Sequence, residues 1–362
     1  MNKSGRVYVC HTYYHVFVSF LKELNLENRD EPADLIISTI STDFEDFKER
    51  FEASGVFRNV YVFDEKGEND FPELMALKKD KGNIVANMSQ RIRFTSLFAK
   101  LEAPYVPVDF RAYKDIYVYC DSDPVGYYLN KNRIYYHAVE DGLDTLKPCV
   151  YSKFNNRGHW KLKKFFSKNL NLIFINDGYG KYCLDMEVNN LSYVDDDPAV
   201  YKEVPRDALM NALSKESREI IIRTFIRDYD KMLEVCKNMD PDKKNIMLLT
   251  EPLTPSFETR ERIFRDLVNE YSRQGTVFIK PHPRDDLNYK ELFADVLQFD
   301  RTIPMEMFNF FEEIRFDLLV AVYTQLGSVH FAKEAIQLGD DFMDKYEDPS
   351  IHRKRELLEL SK

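Results

Sequence analysis

Short apolar runs alternate with longer amphipathic segments along the first half of the chain. Arg6–Cys10 has the pattern of a buried strand, and the apolar spacing of His15–Leu24 is that of a helix, so the chain opens with a β–α unit. The later runs are separated by segments long enough for crossover helices, which predicts a mostly parallel, doubly wound sheet. The further predicted strands are Leu35–Ile40, Asn59–Phe63, Ile116–Cys120, Ile134–Val139 and, as a sixth, Leu172–Asn176.

A second series of apolar runs also alternates with helical stretches. Between the two series lie an acidic, proline-bearing stretch, Asp195–Val204, and a charged amphipathic segment from Asp207 to about Met239. The strands predicted in the second series are Asn245–Thr250, Thr276–Lys280, Val296–Phe299 and Asp317–Val322. The predicted divisions are a Rossmann-like domain over 1–195, a connecting segment over 196–240, a second Rossmann-like domain over 241–345 and a helical tail over 346–362.

The length and composition fit two folded domains. The 362 residues amount to about two domains of roughly 150 residues each. Hydrophobic residues make up 44% and aromatic residues 14% of the chain, which is enough for two cores. No run approaches the roughly 18 to 20 apolar residues of a membrane helix, and the N-terminal residues show no secretory signal, so we expect a cytoplasmic protein.

Charge and cysteine content narrow the function classes. A net charge of −10 argues against non-specific nucleic-acid binding, which depends on a high density of cations. An anionic ligand would therefore bind in a local basic pocket. The five cysteines lie far apart without a CxxC pair, which favours reduced core residues over disulfides or a zinc site, and we expect no structural metal.

The acidic pair in Glu140-Asp141-Gly142 comes directly after a predicted strand. Ligands of doubly wound sheets bind at the carboxyl ends of the strands, and a carboxylate there can act as general base for an attacking hydroxyl, as inverting glycosyl transfer requires. The alternative is an exposed turn, since Asp-Gly is a common turn dipeptide. Because side chains alternate along an extended chain, we expect one carboxylate to face an acceptor and the other to face local backbone donors.

A basic segment, Lys280-Pro281-His282-Pro283-Arg284, follows another predicted strand. The two prolines fix the backbone around the histidine, and the lysine and arginine add positive charge on either side. Such a cluster suits a nucleotide phosphate, and an imidazolium there could stabilise or protonate a departing phosphate oxygen. The alternative is a proline-rich loop with a solvated histidine.

The segment Thr324-Gln325-Leu326-Gly327-Ser328 lies between a predicted strand and the helical pattern of residues 329–338. Two hydroxyls and a glycine at a helix N-terminus form a ready anion site, because free backbone N–H groups and the helix dipole point at the ligand. Simple capping of the helix by Ser328 is the alternative, and the two roles are compatible.

Four further positions follow predicted strands. Glu306 lies among apolar neighbours and is either a partner for ribose hydroxyls or an acid at a helix N-terminus. Glu251 either binds a donor or ends its strand. His11 and Thr12 come at the carboxyl end of the first strand, where they would face an interdomain cleft, whereas we expect His15 to be a satisfied helix histidine.

Arg157–Lys168 (RGHWKLKKFFSK) mixes cations with aromatic residues. It fits peripheral contact with the inner membrane surface, an acceptor-facing patch, or a solvated helix whose lysines extend their charged ends into water.

The order of CHTYYH, EDG, LLTEPL, KPHPRDD, IPMEM and YTQLGS resembles that of bacterial sialyltransferases of glycosyltransferase family 52, the lipooligosaccharide sialyltransferase group. The resemblance spans nearly the whole chain. It implies a GT-B fold, with two Rossmann-like domains facing across a cleft, the acceptor side and general base in the first and the nucleotide-sugar site in the second. It also implies an inverting enzyme that moves sialic acid from CMP-sialic acid to a hydroxyl of lipooligosaccharide or capsule.

The resemblance assigns roles to the residues named above. It makes Glu140 the preferred base and gives Asp141 a supporting role in the turn, although some members have the base near the position of Glu251, and that choice stays open. Since Thr324 and Ser328 replace the adjacent serines of some relatives, Ser328 is the stronger phosphate ligand of the two. By the same resemblance, His282 would meet the CMP phosphate, Lys280 and Pro283 would support it, Glu306 would hold the ribose, Glu251 would lie by the donor, and His11, Thr12 and Gly142 would lie in the cleft.

The implied reaction needs a nucleotide-sugar donor and a glycan acceptor, without nucleic acid. It requires no metal or other cofactor, because cationic side chains and a helix N-terminus can offset the charge of the leaving phosphate. Two alternatives remain open. One is a GT-B transferase that uses a UDP-hexose or CDP-polyol in capsule or teichoic-type polymer synthesis, and the other is a non-catalytic glycan-binding protein.

Overall fold

A computed structural model describes residues 5–44, 46–119, 121–142, 152, 155–156, 158–194, 200–237, 242–311, 316–327 and 329–353. The chain divides into two compact units, Met1–Thr224 and Phe225–Lys362. The division lies inside the predicted connecting segment 196–240, and the other predicted boundaries stay predictions.

The described part of the first unit contains a parallel seven-stranded sheet in the order β3-β2-β1-β4-β5-β6-β7. The order reverses at β1, which pairs with β2 on one side and β4 on the other. Because parallel crossovers are right-handed, this reversal sends connecting helices to both faces of the sheet and leaves a ligand-binding position at its carboxyl edge. The strands are β1 Arg6–Cys10, β2 Asp34–Ser38, β3 Asn59–Phe63, β4 Asp115–Tyr119, β5 Tyr136–Val139, β6 Cys183–Val188 and β7 Val200–Glu203.

Apolar side chains of the central strands form the core of this unit. Val7 and Val9 of β1 pack in one buried cluster with Val118 of β4 and Ala138 of β5. Burial on both faces explains why these strands are nearly continuous apolar runs. The helices are α1 Tyr13–Leu24, α2 Phe47–Ala53, α3 Pro72–Met75, α4 Ile84–Glu102, α5 Pro124–Lys131, α6 Trp160–Lys168, α7 Arg206–Ala212 and α8 Lys215–Phe225, the last of which ends in the second unit.

The described part of the second unit holds a parallel five-stranded sheet in the order β10-β9-β8-β11-β12. Its strands are β8 Lys244–Leu249, β9 Gly275–Lys280, β10 Leu297–Gln298, β11 Phe316–Ala321 and β12 Ala332–Gln337. Its helices are α9 Tyr229–Lys237, α10 Phe257–Tyr271, α11 Tyr289–Leu292, α12 Gly339–Met343 and α13 Pro349–His352, with a 3-10 helix over Met305–Phe310. Buried residues of α10 pack on the apolar side chains of β8, β9 and β11.

Two of the predicted elements are wrong. Leu172–Asn176 is not a strand: Ile173 and Ile175 are buried against Met88 and Tyr179 without sheet pairing, and the next strand is Cys183–Val188. A short apolar run has no periodicity that separates a buried strand from buried irregular structure.

Residues 329–338, predicted to be helical, contain β12, Ala332–Gln337. The apolar spacing of this segment fits a helix, but parallel pairing with β11 overrides the local pattern. None of the helices in the described part of the chain is long and apolar enough to cross a membrane.

Candidate active site

The acidic pair lies where the sequence places it, directly after β5. The backbone N–H of Glu140 donates to the carbonyl oxygen of Glu187 (2.9 Å), and its Oε2 accepts from the backbone N–H of Asn189 (2.7 Å). Glu140 is only 2% exposed, whereas the side chain of Asp141 is 55% exposed. The two carboxylates do face different surroundings, but the expected directions are reversed: Glu140 faces backbone donors and Asp141 faces solvent.

His15 is bonded to Asp141. Its Nε2 lies 2.8 Å from Oδ1 and 2.7 Å from the carbonyl oxygen of Asp141. Its Nδ1 accepts the backbone N–H of His11 at 3.0 Å, so the neutral ring carries its proton on Nε2 and donates it to Asp141. His15 therefore connects the first turn of α1 to the segment after β5. The backbone N–H of His11 fixes the tautomer in which it does so.

The surroundings of His15 keep its ring neutral and fixed. The ring is fully buried and stacks on Tyr119, with centroids 4.7 Å apart and planes 12° from parallel. Burial lowers the pKa of His15, and the hydrogen bond that His15 donates to Asp141 only partly offsets that effect. His15 is a satisfied helix histidine, as expected from the sequence, but its bond to Asp141 was not expected.

His11 belongs to a second buried pair at the same sheet edge. Its Nε2 lies 2.9 Å from Oε2 of Glu65 and 3.4 Å from Oδ2 of Asp123. Burial disfavours the charged ring, but the two carboxylates outweigh burial and raise the pKa of His11 to about 9. Ser38 Oγ and the backbone N–H of Val125 also donate to Glu65, at 2.6 and 2.8 Å. The raised pKa favours the protonated form of His11, with Glu65 as its hydrogen-bonded counterion.

Thr12 and Gly142 lie at the same edge, next to these pairs. Thr12 is the N-cap of α1, and its hydroxyl accepts the backbone N–H of His15 at 3.3 Å. Gly142 is partly exposed after Asp141. The first sheet thus brings together five of the residues singled out from the sequence: His11, Thr12, Glu140, Asp141 and Gly142.

Glu251 follows β8 and holds the backbone that follows β11. Its carboxylate accepts the N–H groups of Val322 (2.9 Å), Tyr323 (3.0 Å) and Thr324 (3.1 Å). Burial raises the pKa of Glu251, and these three hydrogen bonds counteract the rise. With its oxygens turned to the neighbouring loop, Glu251 orders the segment that the sequence assigned to phosphate binding.

His282 follows β9 in the same unit. Its backbone N–H donates to the hydroxyl of Thr250 (3.1 Å), and its Nδ1 accepts the N–H of Arg284 (3.1 Å), so Nε2 carries the proton. Burial, together with the cations of Arg284 and Lys280, lowers the pKa of His282 to about 4. The lowered pKa favours a neutral ring that offers its Nε2–H as a donor, and the imidazolium at a phosphate stays a prediction.

Lys280 and Glu306 are both buried, and their opposite charges interact. The ammonium of Lys280 donates to the carbonyl oxygens of Pro281 (2.7 Å) and Arg301 (3.1 Å). Burial lowers the pKa of Lys280 to about 7, although Asp300 and Glu306 act in the opposite direction. Lys280 thus donates to backbone carbonyls. Its support of a phosphate and the contact of Glu306 with a ribose stay predictions.

The predicted anion site at Thr324 lacks the helix on which it was based. β12 follows the segment, and the N–H of Thr324 is taken by Glu251. Ser328 lies outside the described residues. Pro283 is partly exposed beside His282, and its place next to a ligand stays a prediction. In this unit the structure joins Thr324 to Glu251, and the partly exposed His282 offers its Nε2–H as a donor.

Glu65, Asp123 and the bond between His15 and Asp141 were not predicted from the sequence. Each carboxylate comes within four residues of a strand end, Glu65 after β3 and Asp123 after β4. The rule that ligands bind at the carboxyl edge applies to every strand, so these positions could have been singled out with the same reasoning. Their pairing with His11 could not, because residues 54 positions apart carry no local signal.

The chain matches one known family over most of its length. Residues 58–331 match the sequence profile of Glycosyltransferase family 52, which is well over half of the chain. The chain belongs to glycosyltransferase family 52. An uncharacterized protein from Haemophilus influenzae is 27% identical to this family 52 member over 124 residues, which are 31% of this chain and 40% of that protein. The match thus spans less than half of that relative's length.

Solved structures share the fold of the family 52 chain. An alpha/beta-galactoside alpha-2,3-sialyltransferase from Photobacterium phosphoreum superimposes with a TM-score of 0.53 at 12% identity, over 92% of this chain and 90% of that one. The GT-B domain of a sialyltransferase from Photobacterium damselae gives a TM-score of 0.50 at 11% identity, over 89% and 86%. The protein is a glycosyltransferase with the GT-B fold, as the resemblance implied.

Among the described residues of the family 52 enzyme, no three or more His, Cys, Asp or Glu side chains are grouped as metal ligands. Cys10 and Cys183 are free and buried.

Proposed function

We propose that this glycosyltransferase moves sialic acid from CMP-sialic acid to a hydroxyl of a bacterial surface glycan, lipooligosaccharide or capsule, with inversion at the anomeric carbon. The observation that carries the proposal is the half-exposed Asp141 carboxylate, held by a neutral histidine at the carboxyl edge of the first sheet. The choice of donor is supported by the motif order and by the sialyltransferases that share the fold.

In this proposal Asp141, and not Glu140, is the general base. The acceptor hydroxyl gives its proton to Asp141 as its oxygen bonds to the anomeric carbon, while the bond from that carbon to the phosphate oxygen breaks and CMP leaves with the electron pair. Asp141 suits this role because it is the accessible member of the pair. Glu140 is turned to the backbone N–H of Asn189 and supports the end of β5.

His282 acts on the leaving group. Its Nε2–H can donate to a phosphate oxygen, and a dianionic phosphate close to the ring would favour the protonated form. Glu251 supports donor binding indirectly, because it fixes the backbone of residues 322–324. We propose no metal and no cofactor, since the leaving CMP carries less charge than a nucleoside diphosphate. Glu306 at the ribose and Ser328 at the phosphate complete the donor contacts.

Thermal unfolding with a panel of nucleotides tests the donor. CMP and CMP-sialic acid should stabilise the protein more than UDP, UDP-glucose or CDP-glycerol, and a ligand at a hundred times its Kd adds about 2.7 kcal/mol. Equal or greater stabilisation by UDP-glucose would refute the sialyl donor and leave the family assignment intact. If the protein hydrolyses none of the nucleotide-sugar donors, it would instead be a non-catalytic glycan-binding protein. The reaction is placed in the cytoplasm, where nucleotide-activated sugars are available.

A further inference from the structure

A stretch around α6 is depleted of acids in an otherwise acidic chain. Residues 145–176 contain no Asp or Glu, although the whole protein has 61 such residues and a net charge of −10. The same stretch contains seven cations, Lys147, Lys153, Arg157, Lys161, Lys163, Lys164 and Lys168. Positive charge is therefore concentrated in one segment, which attracts an anionic surface that the rest of the protein repels.

One side of α6 packs on the first unit. The Trp160 ring meets Tyr179 edge to face, with centroids 4.9 Å apart, and Phe166 packs on the same buried cluster. The hydroxyl of Ser167 donates to the carbonyl oxygen of Tyr179 at 2.8 Å. These contacts fix which side of the helix points outward.

The outward side is apolar as well as basic. Leu162 and Phe165, three residues apart on α6, are 40% and 49% exposed, and Leu170 and Leu172 just beyond the helix are 46% and 38% exposed. Lys161 is exposed beside them. Residues three apart lie next to each other on a helix, so Leu162 and Phe165 form one ridge. We call these five residues the α6 face.

Two lysines of α6 are held by backbone carbonyls of the same unit. Lys163 donates to the carbonyl oxygen of Asn156 (3.1 Å), and Lys168 donates to that of Gly178 (3.3 Å). Burial lowers the pKa of Lys163, and the nearby guanidinium of Arg91 lowers it further. Lys163 thus carries its charge near another cation, and an anionic surface would offset their repulsion.

We propose that the α6 face docks on a bilayer that carries anionic lipids, with Leu162 and Phe165 in the interfacial region and the lysines at the headgroups. Exposed apolar side chains next to lysines on one helix side are the pattern of interfacial helices. A second copy of the chain is disfavoured because the α6 segments of two copies, each rich in lysine and without acids, would repel each other. Nucleic acid is disfavoured because it offers no apolar phase for the leucines and Phe165.

The α6 face lies in the same unit as Asp141 and near the same sheet edge. Lys168 bonds to the carbonyl of Gly178, and the preceding residue, Asp177, donates its N–H to Asp121 (2.9 Å), just after β4. Docking through this face would bring the carboxyl edge of the first sheet close to the lipid surface. This consequence, which rests on the proposed function, makes a membrane-anchored glycan the acceptor class.

Vesicle sedimentation of the full-length protein tests the docking surface without donor or acceptor. Wild type should sediment with vesicles of phosphatidylcholine and phosphatidylglycerol in equal parts, should remain in solution with phosphatidylcholine alone, and should be released by salt. Leu162→Ser with Phe165→Ser, and separately Lys161→Glu with Lys164→Glu, should each weaken sedimentation about tenfold or more. Both double variants change exposed or partly exposed positions, and unchanged thermal unfolding would confirm that they fold.

The matched control reverses two lysines elsewhere in the same unit. Lys79 and Lys81 are exposed, and Lys79→Glu with Lys81→Glu changes the net charge as much as the α6 charge reversal. This control should bind vesicles like wild type. The proposal would be overturned if the control lost as much vesicle binding as the α6 variants, or if wild type failed to bind anionic vesicles. It would also be overturned if wild type formed dimers that the Leu162→Ser, Phe165→Ser variant does not form. Donor hydrolysis, measured in parallel, reports on the proposed reaction independently of lipid binding.

Discussion

The backbone N–H of His11 donates to Nδ1 of His15 at 3.0 Å, and this hydrogen bond decides what His15 can do for Asp141. With Nδ1 occupied as an acceptor, the neutral ring has only its Nε2–H to offer, and that group points at the Asp141 carboxylate. His282 repeats the arrangement, since its Nδ1 accepts the N–H of Arg284. In both histidines the backbone selects the tautomer before any ligand binds.

The first prediction separates the two members of the acidic pair. Asp141→Asn keeps the shape of the side chain and removes its basicity, so it should lower kcat by roughly 10²-fold or more with little change in donor affinity. Glu140→Gln should lower the unfolding free energy, because the Glu140 carboxylate accepts a backbone N–H, and any loss of activity should follow from that lower stability. Steady-state kinetics with donor binding measured by calorimetry would check both. Near-normal turnover of Asp141→Asn beside an inactive but folded Glu140→Gln would restore Glu140 as the base.

The second prediction tests His15 as a positioning residue. His15→Leu removes the donor to Asp141, so kcat should fall while the KM of the donor stays nearly constant. A hydrogen bond to a carboxylate favours its charged form, so the acidic limb of the kcat/KM profile should move to higher pH in this variant. His15→Gln retains an N–H donor and should recover part of the activity. An unshifted pH profile with uniformly lower activity would indicate a purely structural role.

The first sheet shows how far sequence reasoning reaches. β1 and the strand before the acidic pair were predicted because apolar runs flanked by amphipathic helices mark buried parallel strands, and the rule of the carboxyl edge then located Asp141. The directions of the two carboxylates could not be predicted, since which of two adjacent side chains meets the N–H of Asn189 depends on a residue 49 positions away, after β6.

The second unit shows where local patterns mislead. Residues 329–338 have helical spacing, yet pairing with β11 makes a strand of Ala332–Gln337. The anion site expected at Thr324 depended on that helix, and its N–H instead meets Glu251. The hydrogen bond between Glu251 and Thr324, which are 73 positions apart, fixes the backbone of this loop and occupies the N–H that was expected to bind an anion. Local sequence does not contain that information.

The third prediction concerns Glu251. Glu251→Gln leaves one carbonyl oxygen and an amide NH2 facing three backbone N–H groups, so the variant should lose about 1 to 3 kcal/mol of unfolding free energy. The KM of the donor should rise as residues 322–324 become less ordered, with a smaller effect on kcat. Urea unfolding and kinetics would measure this, with exposed Glu258→Gln on α10 as the control. A kcat lower by 10²-fold at saturating donor, with unchanged stability, would make Glu251 the base.

The fourth prediction follows from the tautomer of His282. His282→Ala removes the Nε2–H and should weaken donor binding or transition-state binding by about 1.5 to 3 kcal/mol, the usual range for a hydrogen bond to a charged group. His282→Gln keeps a donor and should lose less. Donor titration calorimetry on both variants would show the order. Equal losses in the two variants would mean that a proton or a positive charge, and not an N–H donor, is what the phosphate needs.

The last prediction concerns stability at the buried His11–Glu65 pair. The pKa of His11 rises from the ordinary 6.5 to about 9 on folding, so its contribution is fully present below pH 6.5 and is lost as the pH rises towards 9. The unfolding free energy of wild type, minus that of His11→Gln, should therefore shrink across this window, by at most ~3 kcal/mol at 1.4 kcal/mol per pKa unit. Glu65→Gln removes the carboxylate that stabilises the charged ring. The unfolding free energy of wild type, minus that of Glu65→Gln, should therefore also decline over the same pH range. Urea unfolding at a series of pH values would check both, and a difference that stays constant or grows between pH 6.5 and 9 would show that His11 is neutral in the folded protein.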